Sequence, residues 1–177
     1  AGLNYTTASG SFSARKLTVN GSLTIVSGTY VEVDFNVINN NTTPIIIKNN
    51  GTLIQKCDTD NSVANSNVGT IEMERITPPI FRYDYVYWSS PVTADSAYKL
   101  NSVSPLTLSS KFHSYNEPLN NWNLHQAGNQ VMNPGTGYII RGPSINNPSN
   151  ILPSSKSPYT AKFIGKPNNG IVNTTVS

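Results

Sequence analysis

Several things that commit a chain to chemistry are scarce in this sequence. Its 177 residues include one cysteine, Cys57, so no internal disulfide can form. With Lys56, Asp58 and Asp60 beside it and no histidine nearby, Cys57 lacks the setting of a catalytic thiolate. Charged residues make up 12%, roughly half the usual share. The 12 basic and 9 acidic residues leave a net charge of +3, and the closest basic grouping is the pair Arg15–Lys16. A nucleic-acid reader needs several phosphate contacts on one face, so nucleic acid is not an expected partner. His113 and His125 sit twelve residues apart, and no HxH, HExxH or Cys/His grouping accompanies them. No metal and no cofactor are therefore expected. No apolar run has the length of a membrane span, and no signal-peptide pattern is present. Helical periodicity is almost missing, because Pro or Gly interrupts nearly every stretch.

What the chain does have is asparagine, 24 residues of it, and short alternating strands. "KLTV" (Lys16–Val19), "SLTI" (Ser22–Ile25), "YVEVDF" (Tyr30–Phe35), "IIIK" (Ile45–Lys48), "TLIQ" (Thr52–Gln55) and "TIEME" (Thr70–Glu74) predict an all-β fold. A Gly, a Ser or Thr, and an apolar residue recur at Gly21, Gly28, Gly51 and Gly69. The last three starts lie 23 and 18 residues apart, about one solenoid coil each. Stacked coils favour Gly and Asn because corners require positive φ, and Asn side chains form ladders there. "NG" at Asn20 and Asn50 also fits an antiparallel meander, but the solenoid-like stack is the preferred reading for residues 1–77.

"TPP" (Thr77–Pro79) breaks that texture, since proline donates no ladder hydrogen bond. Residues 78–177 read as strands around Ile80–Trp88, Lys111–Tyr115, Trp122–Leu124, Gly137–Arg141 and Tyr159–Gly165. These predict an antiparallel β-sandwich, jelly-roll-like. Phe112–Ile140 resembles a single kelch repeat, but the chain is too short for four blades. It reads as a hairpin with Trp122 packed inward.

The densest feature is "FRYDYVYW", which holds five aromatic rings in eight positions. A strand places Phe81, Tyr83, Tyr85 and Tyr87 on one face and Arg82, Asp84, Val86 and Trp88 on the other. The leading reading is core, with an Arg82–Asp84 pair at the rim. The alternative is a carbohydrate-binding surface in which Tyr83, Tyr85, Tyr87 and Trp88 stack on sugar rings. Carboxylates for a glycan-active enzyme would be Glu32 with Asp34 or Glu72 with Glu74, which share strand faces. On a weakly charged ladder they are more simply solvent-facing, and no catalytic residue is expected. "DTDNS" (Asp58–Ser62) is oxygen-rich but lacks the Gly and closing Glu of a calcium loop.

"GTLIQ" (Gly51–Gln55), "FRYDYVYWSSPV" (Phe81–Val92), "GTGYIIRGP" (Gly135–Pro143) and "FIGKPNNG" (Phe163–Gly170) together resemble a module of large surface proteins. Those proteins belong to gliding and related Bacteroidetes and leave the cell by the type IX secretion system. The resemblance implies an extracellular, adhesin-like context, with partners among other cell-surface proteins or copies of the same chain. It also implies Ser96, in "DSA" (Asp95–Ala97), as an O-glycosylation acceptor. Such proteins end in a sorting domain, and none is recognisable before Ser177. The resemblance then implies a fragment, a small subunit or a protein held at the surface by others. The expected function is a non-enzymatic structural or adhesive surface protein that docks or self-assembles through strand edges. A carbohydrate-binding module is the alternative.

Overall fold

A computed structural model describes residues 5–6, 10–56, 66–144 and 155–173, with only the backbone at 5–6. Cys57 and the oxygen-rich stretch Asp58–Ser62 lie outside the described residues.

The first part of the chain is a three-faced parallel stack. One face carries β1 (Tyr5–Thr6), β4 (Leu23–Ile25), β7 (Ile45–Ile47) and β9 (Ile71–Ile76) in that spatial order. A second carries β2 (Phe12–Ala14), β5 (Tyr30–Val33) and β8 (Thr52–Gln55). The third pairs β3 (Leu17–Val19) with β6 (Val37–Asn39), extended by a parallel bridge from Ile38 to Val68. Every pairing among these strands is parallel, which rules out the meander. Like residues stack on like: Ile25 lies beside Ile47, Ile45 beside Ile71, and Val31 beside Leu53. Branched side chains suit this geometry because each fills the space above its neighbour on a pleated surface.

Asparagine closes the corners. Asn40 Nδ2 donates to Asn20 Oδ1 at 2.8 Å, one coil below, and Asn41 Nδ2 donates to the Gly21 carbonyl. Buried Asn39 donates to the carbonyls of Thr43 and Thr70. Asn50 takes a positive φ of 62°, and a Cβ on Gly51 would meet the Ile25 carbonyl oxygen at 2.7 Å. The glycine pattern marks two corners and not one. Gly21 and Gly69 lead into strands of the first face, and Gly28 and Gly51 into strands of the second.

The parallel ladder ends with β9 at Ile76, next to Thr77–Pro79. Four of the five remaining strands form one antiparallel sheet in the order β10 (Tyr85–Trp88), β13 (Tyr138–Arg141), β11 (Phe112–Asn116), β12 (Asn121–Leu124). The short helix α1 (Leu100–Val103) buries Leu100 and Val103. β14 (Thr160–Gly165) returns to the first face and pairs antiparallel with the whole of β9. Its inward residues Ala161 and Phe163 are buried, and Trp88 of β10 packs against Phe163 at a ring distance of 5.6 Å. The architecture is therefore all-β and sandwich-like beyond the solenoid. One hydrophobic cluster runs from the solenoid through Phe163 to Phe112, Tyr138 and Ile140 of the antiparallel sheet.

Candidate binding face

In the opening aromatic run, the strand covers Tyr85–Trp88 only. Residues 81–84 form a turn in which the Asp84 amide donates to the Phe81 carbonyl at 3.0 Å. Asp84 Oδ2 accepts the Phe81 N–H at 2.9 Å, so the carboxylate holds the turn and makes no ion pair with Arg82. The Gly142 amide then donates to the Asp84 carbonyl, which pins the turn against the end of β13.

The core reading of the run is corrected. Trp88 and Val86 do face the hydrophobic cluster, and Trp88 Nε1 donates to the Tyr159 hydroxyl at 3.2 Å. Tyr83, Tyr85 and Tyr87 face outward, at 55%, 39% and 76% exposure. Trp122 was also expected inward, and it is 44% exposed. The physical reason is common to Tyr85, Tyr87 and Trp122, while Tyr83 lies in the turn before the strand. Alternation assigns residues to faces, but β14 covers one face of this sheet, and no described strand covers the other.

The register shows what shares that uncovered face, because directly paired residues project together. Tyr85 stands opposite Arg141, and Tyr87 opposite Ile139, which stands opposite His113. His113 pairs with Leu124, and Tyr115 with Trp122. Tyr115 and Trp122 meet edge to face at 5.1 Å, and Tyr85 leans on His113 at 6.1 Å. The hairpin β11–β12 is thus as expected, with its aromatic pair turned to solvent. With strands about 4.8 Å apart, the four-strand face spans roughly 15 Å. Burial, Lys111 and His125 all hold His113 below the usual imidazole range. None of these paired residues is a carboxylate.

Arg141 is the anomaly. It is 8% exposed, and its Nε and Nη2 are buried without a hydrogen-bond partner. Its guanidinium lies over the Tyr83 ring at 5.3 Å, and that of Arg82 lies over the same ring at 5.4 Å. Arg82 Nε is buried and unpartnered too.

The other nominated groups are already engaged. Lys56 bridges Glu32 at 2.9 Å and Asp34 at 3.1 Å, and its hydrogen bond holds Glu32 below the usual carboxylate range. Lys162 reaches Glu72 at 2.7 Å. Burial pushes Glu74 upward, but Lys48 and Lys162 outweigh this and hold it low. A glycosidase acid must stay protonated near neutral pH, and neither Glu32 nor Glu74 is pushed that way. Ser96 lies in a one-turn 3₁₀ segment, Ala94–Ser96. Its Oγ accepts the Lys166 N–H at 2.9 Å and lies 3.1 Å from Thr93 Oγ1. A Cβ added to Gly165 would come within 2.6 Å of that Oγ, so a sugar there would meet a crowded joint. Among the described residues no three His, Cys, Asp or Glu side chains gather as a metal site. No described helix is long and apolar enough to cross a membrane.

A concavity of about 310 Å³ lies between β8 and the C-terminal segment, lined in part by Gln55, Lys56, Asn168 and Asn169. Its polar groups are used internally. Gln55 and Asn67 exchange both amide bonds, and Asn168 and Asn169 donate to the carbonyls of Ser90 and Phe35. The aromatic face is the stronger candidate.

Fold and surface together define a parallel β-solenoid joined to an antiparallel sheet with one uncovered aromatic face. The chain belongs to a family described as a domain of unknown function (DUF8693), whose profile matches residues 4–177. No curated protein and no solved structure matches it.

Proposed function

We propose that this protein is an extracellular, non-enzymatic binding module that takes a polysaccharide on the outer face of its antiparallel sheet. One observation carries the reading: Tyr85, Tyr87, Tyr115 and Trp122 stand exposed on one face, with Ile139 and His113 on the strands in between. Sugar rings present C–H faces that stack on aromatic rings, and a flat sheet offers several such contacts to an extended chain. The engaged carboxylates of the solenoid argue for binding without turnover. The surface-protein motifs of the sequence supply the extracellular context, in which such a module serves adhesion.

Affinity electrophoresis in gels containing plant and bacterial polysaccharides tests the reading. Retardation by at least one polymer is expected, lost in Tyr87→Ala and Trp122→Ala with the melting temperature unchanged. Retardation that survives both substitutions, or none in any gel, would overturn it.

A second reading has its own observation. Among the described strands β12 pairs only with β11, and all four of its residues are exposed, so it offers an open edge to another chain. Light scattering behind size exclusion tests self-association, and a strict monomer at high concentration would contradict that use of the edge.

A further inference from the structure

The platform has a charged end. Tyr83 is flanked by two guanidinium groups, and Lys156 Nζ lies 5.0 Å from the ring of Phe81 in the same turn. None of these cations forms an ion pair among the described residues, although Lys48, Lys56, Lys162 and Lys166 all do. Asp84, the carboxylate of the turn, is bonded to the Phe81 amide. Arg75 makes the contrast plain. It is also partly buried, yet its guanidinium donates to the carbonyls of Glu74, Lys48 and Gly51. A buried guanidinium with empty donors is costly unless something supplies acceptors, and a planar oxyanion is its best complement.

We propose that the ligand of this face is an acidic polysaccharide, with one oxyanion seated between Arg141 and Arg82 where Tyr83 now covers them. This rests on the glycan reading above and deepens it. Tyr83 is more than half exposed and belongs to a turn, so it can swing aside without disturbing the sheet. The anion replaces the ring as the partner of both guanidiniums. The neighbouring units of the chain then lie across Tyr85, Tyr87 and the Tyr115–Trp122 pair. Tyr85, directly opposite Arg141, joins the charged end to the aromatic one.

The test compares four probes by titration: a uronate polymer, a sulfated polysaccharide, a neutral polysaccharide and poly-glutamate. The uronate or the sulfated polymer should bind at least about tenfold tighter than the neutral one, with affinity falling as salt rises. Which of the two binds tighter identifies the oxyanion. Arg141→Met should remove that preference and hold or raise the melting temperature, because it replaces a buried unpaired charge with an apolar side chain of similar length. Arg82→Gln should weaken acidic binding in a fold whose sheet is untouched, which keeps the proposal testable if Arg141→Met does not fold. Equal affinity for acidic and neutral polymers would overturn the proposal and leave the aromatic platform standing. An acidic preference that survives Arg141→Met or Arg82→Gln would overturn it too. Poly-glutamate binding as tightly as the uronate would replace the glycan with an acidic peptide. No binding to any polysaccharide would remove both readings.

Discussion

The two parts of this molecule treat their polar groups differently. In the solenoid most polar side chains face each other, although Asn36 Oδ1 is buried without a partner. Asn20 bonds Asn40, Gln55 bonds Asn67, Lys56 bridges two carboxylates, and Arg75 caps three carbonyls. In the antiparallel sheet, one face buries Phe112, Tyr138 and Ile140 in the common core. The other carries exposed rings, a His113 with a buried unpartnered Nδ1, and an arginine with empty donors. A fold selected for stability alone gains nothing from that second face. The difference separates the scaffold from the surface it presents.

The sharpest way to break this comparison is at the joint. Phe163 is 2% exposed and touches both Trp88 and Tyr98, so Phe163→Ala should cost about 3–5 kcal/mol. Both parts should then melt in a single transition in chemical denaturation. Two separated transitions would mean that the parts are independent.

Alkali should act on the same joint. Burial pushes the Tyr159 phenol up to about 12 from an unfolded value of 10, and burial raises Tyr98 as well. Below pH 10 the folded and unfolded chains are both protonated at Tyr159, and its contribution is complete. Above that the unfolded chain ionises first, so about 2–3 kcal/mol should be lost between pH 10 and 12. Equilibrium unfolding at pH 9, 10.5 and 11.5 measures it, and Tyr159→Phe should flatten the slope.

Within the solenoid, Asn67 accepts the Val37 N–H at 2.8 Å and donates to the Pro167 carbonyl at 2.9 Å. Removing its amide orphans both, so Asn67→Ala should cost about 1–3 kcal/mol in a denaturant titration. On the outer face, by contrast, Tyr87→Ala should change stability by less than about 0.5 kcal/mol. A large loss there would mean that the face is structural after all.

Much of the fold was legible because period-two alternation and corner chemistry are local. "SLTI", "IIIK" and "TLIQ" each became a strand, and Asn and Gly at the corners announced stacking. β2 and β6 went unread because "FSA" carries a single bulky apolar residue and "VIN" does not alternate. The glycine repeat was read as one corner when two corners alternate, since sequence spacing does not reveal which face a strand joins. The candidate site was half legible. Alternation grouped Tyr85 with Tyr87 and Val86 with Trp88 correctly. It could not tell which pair would be covered, because the cover is Phe163 and Tyr159, more than 70 residues away in the chain. Arg141 gave no signal at all. Its importance lies in missing partners, and those exist only in three dimensions.

The chain has two tryptophans, and the sheet places one on each side, Trp88 within the packed layer and Trp122 on the open face. Single-tryptophan variants, Trp88→Phe and Trp122→Phe, followed by fluorescence during polysaccharide titration, therefore ask directly where the ligand sits. The account predicts that Trp122 shifts in emission and gains protection from an aqueous quencher while Trp88 stays unchanged. A bound polysaccharide that leaves Trp122 open to the quencher would contradict it.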